Sequence, residues 1–400
     1  MKVLIMGAGG QGGPCASILA RDKEVTEIVV ADINVEAAEK VKQRVNSPKI
    51  KVMQVDAASP NEVAKAAEGM DVIIDVVLPF LAPNVMRGAL EAGAHYVNTA
   101  FDTPFWNQLV NGEPLEMHEE FKEAGLTALL GCGMSPGFLN VLVRYYADKL
   151  DTIKSIKLRL GKKNISLGKY ADITAPWNPG WSPKQALIDC ATKPHVFRNG
   201  KYEQLEPYAE IEEWQFPEPI GKLLVSHHSH EEPYSLPRTL GKGLEYCDFK
   251  YYVSYQPAAL VSMGLASQEE IDINGTKIKP IDVVTALIPK PGNAFLEEDV
   301  EKLDILDKTS FVSMMIEMTG TKNNAPVTYR IHCPKMTAPG RKLYELFGTS
   351  FINVALPAVI GAKMVIEGAE KGVIFPEQLD PNKFLALFKA SGIPYQWEEL

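Results

Sequence analysis

The sequence predicts an α/β protein whose first domain is a doubly wound parallel sheet. Short apolar runs alternate with helical patterns over residues 1–132, which is typical of parallel strands joined by helices. A glycine-rich turn follows the first apolar run, and an acidic residue closes the second run. The length of 400 residues exceeds one compact domain, so we expect a second unit after this sheet.

The glycine-rich turn indicates a dinucleotide site. Gly7 would allow the tight turn out of the first strand, and Gly9 would let backbone amides approach a pyrophosphate. Gly12 would let the following helix pack on the strand, and the helix N-terminus would favour the phosphate charge. The candidate cofactor contacts in this turn are Gly7, Ala8, Gly9, Gly10, Gln11 and Gly12.

Asp32 predicts which dinucleotide is bound. It ends the apolar run 28–31, twenty residues after Gly12, where a carboxylate would accept hydrogen bonds from the adenosine ribose. The same charge would repel a 2′-phosphate, so we expect NAD, with NADP less favoured. Further cofactor contacts are expected at the ends of later strands: Asp56, Val77, Leu78, Pro79, Thr99 and Gly133.

The elements of the first domain follow in order. Apolar and β-branched runs predict strands over residues 2–6, 27–31, 51–55, 72–77, 95–99 and 126–130. The first helix is expected over residues 12–21. Asn34 is expected to cap the second helix, which would run to residue 44, and Ser59 with Pro60 would open the third.

The rest of the chain predicts an α+β domain and a helical end. A helix over 138–150 and a strand over 155–160 are followed by a predicted hairpin, with strands 311–318 and 327–333 and a turn over 319–324. From residue 351 the pattern is helical, and residues 372–377 are expected to connect two helices. The boundaries are therefore 1–132, 133–350 and 351–400.

Composition limits the function classes. A net charge of −9 and a pI near 5.5 argue against a nucleic-acid partner or an anionic membrane surface. No apolar run approaches the length of a membrane span. Five dispersed cysteines fit reduced thiols, and the first strand begins too early for a signal peptide, so we expect a cytoplasmic location.

Several short segments resemble one family. They are 6–12, 96–99, 131–140, 181–183, 198–201, 231–238 and 371–379. Together they resemble the saccharopine dehydrogenase-like oxidoreductases, which include saccharopine reductase, lysine 6-dehydrogenase and carboxynorspermidine dehydrogenase. The resemblance implies C-terminal helices that return to the N-terminal Rossmann domain. It also implies a central domain with substrate and dimer contacts, and hence a homodimer.

Two positions depart from parts of that family. Asp32 stands where the NADP-using members carry a basic or small residue, and Ser135 stands where saccharopine reductase typically has an acid. Both differences favour the lysine 6-dehydrogenase-like branch. We therefore expect an NAD-dependent oxidoreductase acting on the CH–NH or CH–NH2 group of an amino acid or an opine-like secondary amine. The alternatives are a carboxynorspermidine-type NADP-dependent reductase and a non-catalytic NAD-binding regulatory protein, which would lack a water-shielded pocket.

Amine oxidation by hydride transfer needs a base for the ammonium proton and an acid–base group for water attack on the iminium. Asp102 is a candidate base or ammonium contact, although an acid before Thr-Pro also suits a turn. His228 and Glu231 belong to the densest titratable segment, residues 227–232. This segment could also be a solvated loop or a zinc site, but the ligand set is not closed, so we expect no metal.

The substrate carboxylate needs a cation. Arg238 is the favoured candidate, because a guanidinium binds a carboxylate bidentately, although an arginine near a helix start also forms structural ion pairs. Trp181 in a proline-rich loop is a candidate wall of the pocket, and Ser135 is a candidate substrate contact.

Overall fold

The computed structural model describes residues 1–165, 177, 179, 182–288, 293–334, 339–392 and 397–400. Its strands are β1 Lys2–Met6, β2 Glu27–Asp32, β3 Ile50–Gln54, β4 Val72–Asp75, β5 His95–Asn98, β6 Thr127–Leu129, β7 Thr152–Asn164, β8 His195–Arg198, β9 Lys201–Gln204, β10 Glu212–Gln215, β11 Lys222–His227, β12 Tyr246–Tyr252, β13 Ile271–Ile273, β14 Thr276–Ile278, β15 Ser310–Lys322, β16 Ala325–Pro334, β17 Gly372–Ile374 and β18 Glu398–Glu399.

The described α-helices lie between and after these strands. They are α1 Gly12–Arg21, α2 Val35–Val45, α3 Pro60–Ala66, α4 Ala82–Ala92, α5 Phe105–Asn111, α6 His118–Glu123, α7 Phe138–Ala147, α8 Pro183–Ala191, α9 Glu232–Thr239, α10 Tyr255–Ser262, α11 Pro280–Leu287, α12 Leu303–Thr309, α13 Gly340–Phe347, α14 Ala355–Ile366 and α15 Pro381–Ala390. Short 3-10 turns cover Pro79–Leu81, Val300–Lys302 and Pro376–Gln378.

The first sheet confirms the doubly wound prediction. Its seven strands are parallel and lie in the order β17-β6-β5-β4-β1-β2-β3. The chain order reverses where β1 lies between β2 and β4, and ligands of such sheets bind at this point beyond the carboxyl ends. The predicted caps are also confirmed, since Asn34 accepts a hydrogen bond from Ala37 N–H and Ser59 accepts one from Glu62 N–H.

The seventh strand corrects the prediction for residues 372–377. Gly372–Ile374 is not a simple connection between helices, because it pairs with β6 and extends the sheet. Three residues are too few for a strand pattern to be detected in sequence. The preceding helix α14 packs against α1 and β5, so the C-terminal helices do return to the Rossmann domain.

The second sheet is mixed, which confirms the α+β prediction. Its main order is β10-β11-β12-β7-β15-β16-β18, and only β12 and β7 pair in parallel among these described strands. The predicted hairpin is present, but its turn is shorter than the predicted 319–324. Lys322 pairs with Ala325, so only Asn323 and Asn324 turn the chain, both with positive φ. Asparagine tolerates that conformation in two-residue hairpin turns.

No helix within the described residues is both long and apolar enough to cross a membrane. The homodimer and the cytoplasmic location that the sequence leads us to expect stay predictions.

Candidate active site

The glycine-rich turn after β1 has the shape that a dinucleotide requires. Gly7 has a φ of +107°, and a Cβ there would lie 3.2 Å from the carbonyl oxygen of Val76. A Cβ at Gly12 would lie 1.8 Å from the carbonyl oxygen of Gly7, so α1 packs directly on the turn. Beside Gly9 and Gly10, a Cβ would meet no described atom within 4 Å. This open side leaves room for a pyrophosphate at the N-terminus of α1.

Asp32 directs its carboxylate at the same turn. Its Oδ2 accepts a 2.7 Å hydrogen bond from Ala8 N–H, and its Oδ1 accepts a 2.8 Å bond from Asn34 N–H. The following residue, Ile33, carries no charge to offset a 2′-phosphate. The buried Oε1 of Gln11 has no hydrogen-bond partner within the described chain. An adenine dinucleotide therefore fits these residues, and it would supply hydride transfer when bound.

A cavity of about 920 Å³ lies beyond the carboxyl ends of the first sheet. Residues that follow β4 and β5 form one side, and the second domain forms the other. The described wall contains no lysine or arginine, and its acids are Asp102, Asp189, Glu218, Glu231 and Asp307. Such a wall favours cationic ligands. It also supplies the pocket that a non-catalytic dinucleotide-binding protein would not require.

Some of the other predicted cofactor contacts line this cavity, and two do not. Those that line it are Gln11, Val77, Leu78, Pro79 and Thr99. Gly133 does not line the cavity, and its N–H donates a 2.8 Å hydrogen bond to the carbonyl oxygen of Pro136. Asp56 lies away from the wall and accepts a 2.9 Å bond from Ala58 N–H. Contact between the cofactor and each of these residues stays a prediction.

His230 and Glu232 form a hydrogen-bonded pair at the cavity. His230 lines the wall, its Nδ1 pairs with Glu232 Oε2, and its ring stacks on Phe249 with centroids 4.0 Å apart. Glu232 is fully buried, and its other oxygen accepts a hydrogen bond from Ser135 Oγ. Burial alone would lower the pKa of His230, but the charge of Glu232 and the hydrogen bond to it raise that pKa to about 9. His230 is therefore cationic at neutral pH.

Three further carboxyl groups line the same cavity. Burial raises the pKa of Glu231 to about 8, and its Oε2 lies 3.4 Å from His230 Nδ1. Burial also raises the pKa of Asp102, whose carboxylate accepts a 2.7 Å bond from Thr103 N–H. The pKa of Asp189 is raised to about 6, chiefly by burial. Acids with pKa values near neutrality suit proton transfer at physiological pH.

His228 lines the cavity but differs chemically from His230. Its Nδ1 donates a 2.9 Å hydrogen bond to the carbonyl oxygen of Ser229. Burial, helped by the charge of His230, lowers the pKa of His228 to about 4. This imidazole is therefore neutral, which makes it a weaker candidate than His230 for exchanging protons with an ammonium group.

The predicted substrate contacts have different positions. Ser135 lines the cavity through its contact with Glu232. Arg238 does not line it, because it lies in the last turn of α9 with its side chain exposed beside Gly112. The orientation of α9 turns this arginine away, so it is not brought together with Asp102 and Glu231. Trp181 lies outside the described residues.

His230, Glu231 and Glu232 could hold a metal ion by geometry alone, since their ligand atoms lie within 4.8 Å of one another. The same atoms already pair with each other and with Ser135, and burial keeps the pKa of Glu231 high. Hydrogen bonds among these side chains therefore account for their arrangement without an ion, and we infer no metal site from it.

Comparisons with known proteins identify the family. The family model described as the saccharopine dehydrogenase NADP binding domain matches residues 3–129, and that of the saccharopine dehydrogenase C-terminal domain matches residues 133–393. The chain belongs to the saccharopine dehydrogenase family. It is thus an NAD(P)-dependent dehydrogenase, as the sequence predicts, and the alternative of a non-catalytic protein is not supported.

Curated relatives of this saccharopine dehydrogenase-family enzyme cover its full length. A carboxyaminopropylagmatine dehydrogenase from Synechocystis is 27% identical over 100% of the chain and 97% of the relative. A carboxynorspermidine synthase from Vibrio alginolyticus is 24% identical with the same coverage.

Solved structures establish the fold of the family member. Saccharopine dehydrogenase from Saccharomyces cerevisiae superimposes with a TM-score of 0.70 at 16% identity, covering 100% of this chain and 99% of that one. Homospermidine synthase from Legionella pneumophila gives a TM-score of 0.66 at 15% identity, covering 100% and 91%.

Three groups of the candidate site were not selected from the sequence. His228 was selected instead of His230, because a continued strand would put both on one face, but β11 ends at His227. Glu232 was part of the titratable segment 227–232 but was not selected as a candidate, and Asp189 gave no signal beyond its helix. The signal available for Glu232 was its spacing from His230, which brings two titratable side chains together when the chain turns into α9.

Proposed function

We propose that this enzyme interconverts a carboxylated polyamine with an amine and a carbonyl compound. The observation that carries the proposal is the acidic cavity wall, which contains no lysine or arginine among its described residues. A substrate with several ammonium groups would complement these acids, which the cationic His230 offsets only in part, whereas saccharopine, with several carboxylates, would be repelled. The names of the two curated relatives, which denote carboxylated polyamines, support the same substrate class.

The reaction defines what the protein must do. In the oxidative direction, the carbon beside the secondary ammonium group loses a hydride and the nitrogen loses one proton, which gives a protonated imine. Water then adds to the imine, and the adduct breaks into a carbonyl compound and a primary amine. The bound dinucleotide supplies the hydride acceptor, or the hydride in the reverse direction. The side chains must therefore remove one proton from the ammonium form and move protons to and from the water-derived oxygen.

His230 is the proposed acid–base group for the nitrogen. Glu232 occupies its Nδ1, so Nε2 is the ring nitrogen that exchanges a proton with the ligand. The pKa near 9 is close to that of an amine, so a proton passes between them at little free-energy cost. Glu231, with a pKa near 8, is the proposed group for water addition, and Asp102 is the proposed contact for the reacting ammonium.

NAD is the proposed cofactor. Asp32 and the uncharged Ile33 leave a 2′-phosphate facing a carboxylate without a compensating cation at the end of β2. The matched family model is named for NADP, so the two cofactors must be compared directly.

A substrate panel tests the proposal. Purified protein is mixed with NAD or NADP at alkaline pH, and reduced cofactor is followed with carboxynorspermidine, carboxyaminopropylagmatine, saccharopine, lysine and ornithine. We expect a carboxylated polyamine to give a kcat/KM at least about tenfold above that of saccharopine, which corresponds to about 1.4 kcal/mol. His230→Gln should abolish most of this turnover. Turnover confined to saccharopine or lysine would reject the polyamine class.

A further inference from the structure

Asp189 is a cavity carboxylate that the proposed proton transfers do not use. It lies in the last turn of α8 and lines the cavity together with Gln185 of the preceding turn. Gln185 Nε2 donates a 2.8 Å hydrogen bond to Asp189 Oδ1. In the described part of the chain, no other group donates to this carboxylate. Asp189 Oδ2 thus accepts no hydrogen bond from the described residues, and the carboxylate lines the cavity.

The position of Asp189 is unfavourable for a carboxylate that has only a structural role. The C-terminus of a helix carries partial negative charge, so acids in the last turn are destabilising there. The nearby charge of Asp102 adds repulsion, and burial removes solvation. The charge of His230 offsets these effects in part, and no described lysine or arginine lines the wall, so a bound cation would stabilise the carboxylate further.

Aromatic rings line the same cavity as this acid. Tyr208, Tyr251 and Tyr252 line the same cavity, and the charge of Asp189 acts on the hydroxyl of Tyr251. Ring faces attract ammonium groups, and the effect is greater where water is excluded. Carboxylate and aromatic groups together therefore form a surface suited to an alkylammonium chain.

We propose that Asp189 binds a non-reacting ammonium group of the substrate and so selects polyamines over amines with one charge. This inference rests on the proposed function, because it assigns the second charge of the same substrate. Asp102 and His230 would act at the reacting nitrogen, and Asp189 would bind a different nitrogen of the chain.

Binding measurements on the full-length protein test the assignment independently of turnover. Norspermidine and its mono-N-acetyl derivative, which lacks one terminal charge, are titrated by calorimetry into wild type, Asp189→Asn and Asp282→Asn. Asp282 is the matched control, because it is an exposed acid outside the cavity. It pairs with Lys184, which belongs to the same helix α8 as Asp189. Asp189→Ser provides a second variant if the amide does not fold.

For each protein, the quantity compared is the ratio of the affinity for norspermidine to the affinity for its acetylated derivative. Wild type and Asp282→Asn should lose about 10- to 100-fold, the range for a hydrogen bond between charged groups. Asp189→Asn or Asp189→Ser should lose less than about threefold, because the partner of that charge is gone. An unchanged acetylation penalty in the Asp189 variants, or an equal weakening of both ligands, would overturn the proposal. Absence of amine turnover by wild type would instead reject the proposed function and leave this binding result to stand by itself.

Discussion

Tyr96 donates a 2.6 Å hydrogen bond to Asp75 Oδ2 between two buried strands of the first sheet. Asp75 Oδ1 accepts a second bond from Val77 N–H, 3.0 Å away. Asn98 Nδ2 donates to the Tyr96 hydroxyl over 3.1 Å, while Asn98 Oδ1 accepts a 2.7 Å bond from Gly131 N–H. This buried chain of hydrogen bonds joins the ends of β4, β5 and β6, and so fixes the backbone beneath the proposed cofactor site.

Tyr96→Phe should destabilise the protein in a pH-dependent way. Burial raises the pKa of Asp75 to about 6, so this carboxyl is mostly neutral at pH 5 and ionised at pH 7.5. The tyrosine bond stabilises the ionised form, so its removal should cost about 2–3 kcal/mol of unfolding free energy at pH 7.5 and about 1 kcal/mol at pH 5. Urea unfolding at the two pH values measures the difference.

Tyr202→Phe is the matched control for that experiment. Its hydroxyl donates a 2.8 Å bond to the neutral carbonyl oxygen of Tyr234, and no carboxylate takes part. Tyr202→Phe should therefore lower the unfolding free energy by the same amount at both pH values. Equal losses at pH 5 and pH 7.5 for Tyr96→Phe would contradict the role assigned to Asp75.

Asp32→Ser should change the cofactor preference. Removing the carboxylate eliminates repulsion of a 2′-phosphate and weakens the contact with the NAD ribose. We expect the ratio of kcat/KM for NAD over NADP to fall by about tenfold or more. Asp71→Asn is the control, because Asp71 accepts a hydrogen bond from Lys2 N–H at the start of β1, at the amino ends of the strands and therefore opposite the proposed cofactor site. A ratio unaffected by Asp32→Ser would remove the basis for proposing NAD.

Local sequence was sufficient to predict the first βαβ unit, because each of its features depends on neighbouring residues. The φ of Gly7, the close packing at Gly12 and the cap at Asn34 all follow from short-range sterics and hydrogen bonds. The strand Gly372–Ile374 was not predicted, because its pairing with β6 is a long-range contact that three residues do not encode.

The site was only partly predictable for a related reason. Asp102 was selected because it follows the fifth strand, and Glu231 because it belongs to the dense titratable segment 227–232; both line the cavity, and their roles stay predictions. The choice between His228 and His230 depends on where β11 ends and on the burial of Glu232, which are tertiary facts. Arg238 was a reasonable carboxylate contact by chemistry, but the packing of α9 decides which way it points.

Gly9→Ala and Gly13→Ala should separate a binding glycine from a packing glycine. A Cβ at Gly9 meets no described atom within 4 Å, whereas one at Gly13 would lie 2.2 Å from Cδ1 of the buried Phe295. Gly13→Ala should therefore cost about 1–3 kcal/mol of overpacking, more than the roughly 0.5–1 kcal/mol that alanine contributes in a helix.

The two variants are distinguished by the midpoint of urea unfolding and by the Kd for dinucleotide. Gly9→Ala should leave the urea midpoint unchanged and raise the Kd for dinucleotide by about tenfold or more, since the methyl group occupies the space left for the pyrophosphate. Gly13→Ala should lower the midpoint. If Gly9→Ala bound NAD and NADP as tightly as wild type, the pyrophosphate would not occupy the space beside Gly9.

Glu232→Gln should shift the pH profile of amine oxidation toward lower pH. The carboxylate of Glu232 raises the pKa of His230 to about 9, so in wild type the basic form of His230 increases only as the pH approaches 9. Without that charge the pKa of His230 falls, and the alkaline rise in kcat/KM should begin at a lower pH.

Ser135→Ala is the control, because it removes a hydrogen bond to Glu232 but keeps the negative charge, so its pH profile should stay near that of wild type. Rate profiles recorded from pH 6 to 10 distinguish the two variants. An identical alkaline limb in Glu232→Gln and wild type would show that the group controlling the rate is not His230, and Glu231, whose pKa is near 8, would then be the next candidate.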